Sequence, residues 1–449
     1  MIVKNEAAIL GRCLDSIVQA ADEIVIVDTG STDDTIKIAK GFGAKVIEES
    51  WKNDFSYARN ISLQHATSAW ILWLDADDIV PVDSCNSITQ LKTSLPDKVY
   101  GFIVRNQKPG NTGTEFVQAR MFPNDQRIRF ERKIHEQMMS NALRIGLKMQ
   151  KTSVVIEHHG YAEPDILKLK ASRNLGLLLE EYGQHGEDAV TALEIGDSYQ
   201  LIEQDDNAEF WYKKTIDIPG CKQHTPALAG QAFLGLGAIF NRKGVYQDAI
   251  RYLDAAIECS PWRPDIHYSL AVAHELAGNI SKAIEHLQLL QKLKEDPGQV
   301  GVDFRGSKIK GYLRQIRLLT EQNMSSEAIT VATEALALFP TRAEVHLAYG
   351  KVLLKAGKLI DALHAFEKSL SLNRNDNLDS FIGLCIIYKR AGADSKVIET
   401  LQAINPLFEN REKFKAFCVL FNKNLCSSEN EKDLKDHYEQ IRKEFFGMI

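Results

Sequence analysis

Between Trp70 and Leu74 the chain places five large apolar residues in a row, then changes at once to Asp75-Ala76-Asp77-Asp78. A run this short, without alternation, predicts a strand buried on both faces of a parallel sheet. The carboxylates then emerge at its carboxyl end, where open α/β sheets bind their ligands. Upstream, Ile9, Leu10, Leu14, Ile17 and Val18 recur at helical spacing and predict a helix over residues 7–18. Glu23-Ile-Val-Ile-Val-Asp28 reads as a buried strand closing on a carboxylate, and residues 45–49 as another. A helix from about residue 33 to 39 separates them, with Gly30 permitting a sharp turn and Ser31 and Thr32 as its caps. Residues 56–66 fit a further helix, with Trp51 and Phe55 as core aromatics beside it. Strands alternating with helices predict a parallel sheet wound like a nucleotide-binding fold. No Gly-x-Gly-x-x-Gly follows the first strand, which argues against a dinucleotide enzyme.

After Asp78 the pattern shifts to short strands near residues 99–105, 116–122, 128–137 and 153–161, divided by turn signals such as Pro109-Gly-Asn-Thr-Gly113. From about residue 188 the period becomes helical and repeats. Gly244 and Gly278 are 34 residues apart, as are Ala249 and Ala283, Gly237 and Ala271, and Ala328 and Ala362. Thirty-four is the tetratricopeptide period, with small residues where paired helices pack closely. Five or six units, closed by a polar helix near residues 432–445, predict a solenoid. Its histidines lack metal-ligand spacing.

Composition narrows the class without changing the fold. With 44% hydrophobic and 25% charged residues the chain has ample core, and a net charge of -6 does not suit a nucleic-acid binder. Seven scattered cysteines without a Cys-x-x-Cys fit a reducing compartment, and no apolar run approaches the ~18 residues that span a membrane. The expectation is a cytoplasmic protein.

The acidic turn is where chemistry is expected. Two residues apart in a tight turn at a strand end, Asp75 and Asp77 can both point at one hard cation, although an isolated Asp-x-Asp is more often a plain acidic turn. Both are expected to face solvent, so that their removal spares folding. Context favours the site. Asn53-Asp54-Phe-Ser-Tyr-Ala-Arg59-Asn60, then Leu74-Asp75-Ala76-Asp77-Asp78, then Ile134-His135-Glu136 and His158-x-Gly160-Tyr161 resemble, in that order, the family 2 glycosyltransferases of the GT-A fold. The likeness is strongest to the bacterial branch with an attached helical-repeat domain, which includes peptide S-glycosyltransferases of the sublancin type. The first strand, Met1-Ile-Val-Lys-Asn-Glu6, is shorter than the family's.

The resemblance implies an α/β GT-A (Rossmann-like) domain over residues 1–161, a linker helix over 162–187 and an all-α tetratricopeptide solenoid over 188–449. It implies a nucleotide-sugar donor, a UDP-hexose, and a peptide or glycan acceptor. Asp28, Asp54, Arg59 and Asp75 would bind the donor, and Asp75, Asp77 and His158 a divalent Mn²⁺ or Mg²⁺. Asp54 with Arg59 as a mere local ion pair is the plainer alternative. Inverting transfer also needs a group that takes the acceptor's proton. Glu136 is the first candidate and His135 the second, against a reading of both as exposed edge-strand residues. The repeats are expected to place the acceptor or form a homodimer, and a fragment ending near Tyr161 to keep nucleotide binding. Two other functions fit parts of the chain. One is an inactive nucleotide binder on a protein-interaction scaffold. The other is a sugar nucleotidyltransferase, disfavoured because Lys4-Asn5-Glu6-Ala7 is not a Gly-rich, Arg-containing loop.

Overall fold

The computed structural model describes residues 1–106, 115–160, 164–186, 188–294 and 302–408. The expected loop at 109–113, Tyr161 and the terminal polar helix at 432–445 lie outside the described residues. The described residues fall into two compact units, Met1–Gly278 with Leu293–Gly306, and Asn279–Lys292 with the chain from Ser307 onward.

The first unit opens with β1 (Ile2–Val3), α1 (Leu10–Ile17), β2 (Val25–Asp28), α2 (Thr35–Gly41) and β3 (Lys45–Glu48). Leu10, Cys13, Leu14 and Ile17 make the buried stripe of α1, at the spacing that puts one helical face on a sheet. The three strands are parallel, with Val3 opposite Asp28 and Asp28 opposite Glu48. Asp28 therefore ends the middle strand. The caps expected for α2 do not form: Ser31 Oγ accepts from the Asn5 amide and the Thr32 amide donates to Asn5 Oδ1, while Asp33 accepts from Thr35. A loop-to-loop tie has displaced local capping.

Next come α3 (Phe55–His65), β4 (Trp70–Leu72), β5 (Asp78–Ile79), α4 (Val82–Leu91), β6 (Val99–Asn106), β7 (Glu115–Pro123), α5 (Met139–Arg144) and β8 (Met149–His158). The second sheet has the order β4-β7-β6-β8-β5. The parallel pairing expected for the Trp70 strand is not what forms, because β4 runs antiparallel to β7, Trp70 opposite Pro123 and Leu72 opposite Met121. With only two residues in β1, the long β7 is what satisfies the β4 backbone. An apolar cavity of about 330 Å³, lined by Met1, Leu14, Val25, Trp70 and Leu72 among others, lies where β2 and β4 do not meet. The strand expected at 128–137 is reduced to one bridge, Glu131 with Gln137.

Among the described residues, seven helices follow in this unit: α6 (Pro164–His185), α7 (Ala189–Leu201), α8 (Asp205–Asp217), α9 (Cys221–His224), α10 (Pro226–Arg242), α11 (Tyr246–Cys259) and α12 (Pro264–Leu276). The buried Tyr212 ring lies so close to Gly196 and Gly235 that a Cβ at either would overlap it. Small residues thus do here what the repeat spacing suggests. Among the described residues the second unit holds helices only: α13 (Ile280–Lys292), α14 (Phe304–Glu321), α15 (Ser325–Leu338), α16 (Ala343–Lys355), α17 (Leu359–Leu372), α18 (Leu378–Arg390) and α19 (Asp394–Phe408). Ala328 and Ala362 are fully buried there, and Phe366 meets Gly350 and Gly383 as Tyr212 meets its own pair. No helix of the described residues is long and apolar enough to cross a membrane.

Candidate active site

The acidic turn leaves β4 and is held from beneath. The Trp73 amide donates to Arg120 O on the neighbouring β7, and the Asp75 amide donates to Asp78 Oδ2 at 2.8 Å. Asp78 is fully buried and pairs with the buried Arg120 at 3.0 Å. Arg120 also reaches Asp75 at 3.4 Å, and Arg59 from α3 reaches the other Asp75 oxygen at 3.0 Å. Both guanidinium groups lie against the Trp73 indole, 4.4 Å and 4.0 Å from its centroid. Burial alone would raise the Asp75 pKa, but Arg59 and Arg120 outweigh it and hold the carboxyl well below its ordinary value. Asp75 is therefore not the solvent-facing acid expected from the strand end. Two buried cations depend on it.

Asp77 points elsewhere. Strand β5 runs antiparallel to β8 with Asp78 opposite His158, and this register brings Asp77, Asp78 and His158 together. Their ligand atoms lie within 4.8 Å of one another, the one such group among the described residues that could hold a metal ion. His158 Nδ1 is 2.8 Å from Asp78 Oδ1 and 3.4 Å from Asp77 Oδ1. Burial would lower the imidazole pKa, but the Asp78 hydrogen bond and the charges of Asp77, Asp78 and Asp75 hold it above its ordinary value. Burial, with Asp75 and Asp78 nearby, raises Asp77. Two carboxylates and an imidazole suit a divalent cation such as Mn²⁺ or Mg²⁺. Gly160 keeps the place open, since a Cβ there would collide with Asp77 Oδ2 and His158 Nε2. That is a steric reason for the glycine of the His-x-Gly motif.

Around this centre the remaining candidates separate by role. Asp28 is 2% exposed; its Oδ1 accepts from the Gly30 and Ser31 amides, and its buried Oδ2 has no hydrogen-bond partner. A buried carboxylate oxygen at a strand end is satisfied by a donor from outside the protein, a water or a ligand N–H. Asp54 instead caps α3, accepting from the Tyr57 amide at 2.8 Å, and Arg59 pairs with Asp75 and Glu136 rather than with Asp54. Glu6, on the loop after β1, is raised by burial and by the charge of Asp77, which brings that loop to the acidic turn.

Glu136 sits on the loop closed by Glu131 and Gln137, and its Oε1 accepts from Arg59 Nε at 2.5 Å. The arginine thus links Glu136 to Asp75 through one guanidinium. His135, at positive φ, is exposed and lies near Glu194 and Asp197 of α7. Arg120 and Asp78 escaped the sequence reading. Asp78 looked like a third turn acid, and the charge of Arg120 within an apolar strand was the only signal of it. On α6, Lys170 lies 3.4 Å from Gly160 O and acts on both Asp77 and Glu6. Its place in a helix beyond the first sheets gave no sign of that.

Comparison with known proteins bears on the order of the domains. Residues 1–149 match the glycosyl transferase family 2 model, and residues 242–300 and 313–377 match tetratricopeptide repeat models. A TPR repeat-containing protein of Synechococcus elongatus is 31% identical over 58% of this chain and 65% of its own. The SPbeta prophage-derived glycosyltransferase SunS of Bacillus subtilis is 30% identical over 48% of this chain and 52% of its own. An uncharacterized glycosyltransferase of Rickettsia felis is 35% identical over 24% of this chain and 34% of its own. The chain thus spans between about half and two thirds of the length of the first two relatives. With the acidic turn, the arginine-linked carboxylates and the helical pairs in view, the chain carries a family 2 glycosyltransferase domain at its N-terminus, followed by tetratricopeptide repeats.

Proposed function

We propose that residues 1–161 transfer a hexose from a UDP-hexose, with inversion, to a hydroxyl or thiol of a peptide or glycan acceptor. The observation that carries this reading is the chain of contacts from Glu136 through Arg59 to Asp75, beside the Asp77–Asp78–His158 group. Asp28 Oδ2 would accept an N–H from the base. Asp75, held by Arg59 and Arg120, would orient the donor. A divalent ion on Asp77, Asp78 and His158 would act as a Lewis acid toward the leaving diphosphate. The bond from the sugar's anomeric carbon to the diphosphate breaks as the acceptor heteroatom bonds to that carbon. Glu136 takes the acceptor's proton. Arg59 holds its Oε1, which leaves Oε2 for the task. The repeats would present the acceptor or a second copy of the chain, and the compartment would be the cytoplasm.

Hydrolysis of UDP-, GDP- and TDP-hexoses by the purified chain, with Mn²⁺, Mg²⁺ or EDTA, tests the proposal. A UDP-sugar should turn over with metal, and Glu136→Gln should lower turnover about 10²-fold while UDP affinity holds. No turnover with any donor, together with no UDP binding by calorimetry, would leave the scaffold reading in its place.

A further inference from the structure

The loop that carries Glu136 is held by helices from beyond the first sheets. Its ends close through the Glu131 and Gln137 backbones at 2.9 and 3.1 Å, and two of its non-glycine residues, Arg132 (φ 78°) and His135 (φ 51°), lie in the left-handed region. Backbone of that kind persists only where its surroundings hold it. On one side the Arg132 and Lys133 carbonyls accept from Ser56 Oγ and the Phe55 amide, one turn before Arg59 on α3. On the other side Arg132 reaches α6 and α7. Its guanidinium makes a two-pronged pair with Glu194 at 2.5 and 3.0 Å, and also contacts Glu181 and Thr191 at 3.3 Å. Ile134, 3% exposed, packs into a cluster with Leu177, Leu178 and Ile195. Lys133 pairs with Glu180 at 3.0 Å. Three consecutive residues are thus fixed to α6 and α7, and the next but one places its carboxylate on Arg59.

We infer that Arg132 and Glu194 are positioning residues for Glu136, so that α6 and α7 are part of the apparatus that sets the proton acceptor. This rests on the reading of Glu136 as the residue that takes the acceptor's proton. A planar two-pronged pair fixes orientation as well as distance, which a point charge does not. Loss of the Glu194 charge frees the Arg132 fork and with it the left-handed turn, and Glu136 directly follows the nearer of the strained positions, His135.

The test uses the full chain, UDP-glucose hydrolysis with Mn²⁺, UDP calorimetry, and hydrogen exchange of the peptide covering 131–137. Glu194→Gln and Arg132→Lys should each lower kcat at least tenfold with the KM for UDP-glucose and the UDP affinity within about twofold. Exchange in the 131–137 peptide should rise while that of β2 stays unchanged. The double variant Glu136→Gln/Glu194→Gln should be no slower than Glu136→Gln alone, because both changes act through one group. A purely structural pair would instead give additive losses and weaker UDP binding, and that result overturns the proposal. So does a kcat within twofold of wild type for both Glu194→Gln and Arg132→Lys when Glu136→Gln is slow. If Glu136→Gln itself turns over normally, the reading of Glu136 fails first and the positioning role falls with it. Should Glu194→Gln not fold, Arg132→Lys, which keeps the charge and removes the fork, decides alone.

Discussion

Asp75 illustrates how one side chain can serve stability and chemistry together. The Arg59 and Arg120 side chains are 9% and 3% exposed and have Asp75 as a shared partner, while Asp75 itself is 30% exposed. Leaving buried cations without a partner commonly costs about 3–5 kcal/mol. Glu136 and Asp78 remain on these arginines and Asp75 is partly solvated, so Asp75→Asn should cost about 2–3 kcal/mol at pH 7. The carboxyl is held below its ordinary value, so its contribution is fully present above the unfolded value of about 4 and is lost as pH falls through the folded one. The stability gap between wild type and Asp75→Asn, measured by denaturant unfolding, should therefore be widest near neutrality and narrow below about pH 4. An Asp75→Asn variant as stable as wild type at pH 7 would mean that Asp78 and Glu136 suffice for both arginines.

At the scale of elements, what could be read from the chain and what could not divide along a physical line. Local periodicity made α1, β2 and α3 legible to within a few residues, because one buried face is written into each stretch, and β3 was placed as closely although it has no fully buried residue. The partner of β4 was not legible. An apolar pentamer fits a parallel or an antiparallel neighbour equally well, and the choice was made by β7, some 50 residues on. The same holds for the site. The candidates Asp28, Asp77, His158 and Glu136 could be named from motifs, whereas Arg120 and Lys170 reach the same turn through tertiary approach that no local pattern encodes. The 128–137 stretch shows why. It reads as a strand, yet Arg132, Lys133 and Ile134 are drawn to α6 and α7, and a loop results. Removing those helices would expose Ile134, worth about 2 kcal/mol of burial, and strand Arg132 without its carboxylates. The expectation that a fragment ending near residue 161 keeps nucleotide binding therefore changes. Residues 1–160 alone should be insoluble or fail to bind UDP, whereas residues 1–278 should bind it. A soluble 1–160 fragment with full-length UDP affinity would show that the loop holds its shape unaided.

For the whole molecule, the division into two units has a consequence for how the chain can be watched. The chain has five tryptophans, at 51, 70, 73, 211 and 262, and every one falls in the unit that begins at Met1. The second unit contributes helix but no indole. Tryptophan fluorescence thus observes only the unit with the sheets, while the far-ultraviolet helix signal comes from both units. If the two units unfold as separate cooperative blocks, melting curves recorded by emission and by circular dichroism at 222 nm should not superimpose. A UDP ligand should move the emission midpoint upward and leave the other phase of the dichroism curve in place. Superimposable curves, both shifted by UDP, would instead mark a single block. Trp73 adds a second optical channel. With a guanidinium 4.4 Å and another 4.0 Å from its ring centroid, its emission reports the charge around Asp75, so that a nucleotide or a cation arriving there should change colour and yield before any turnover.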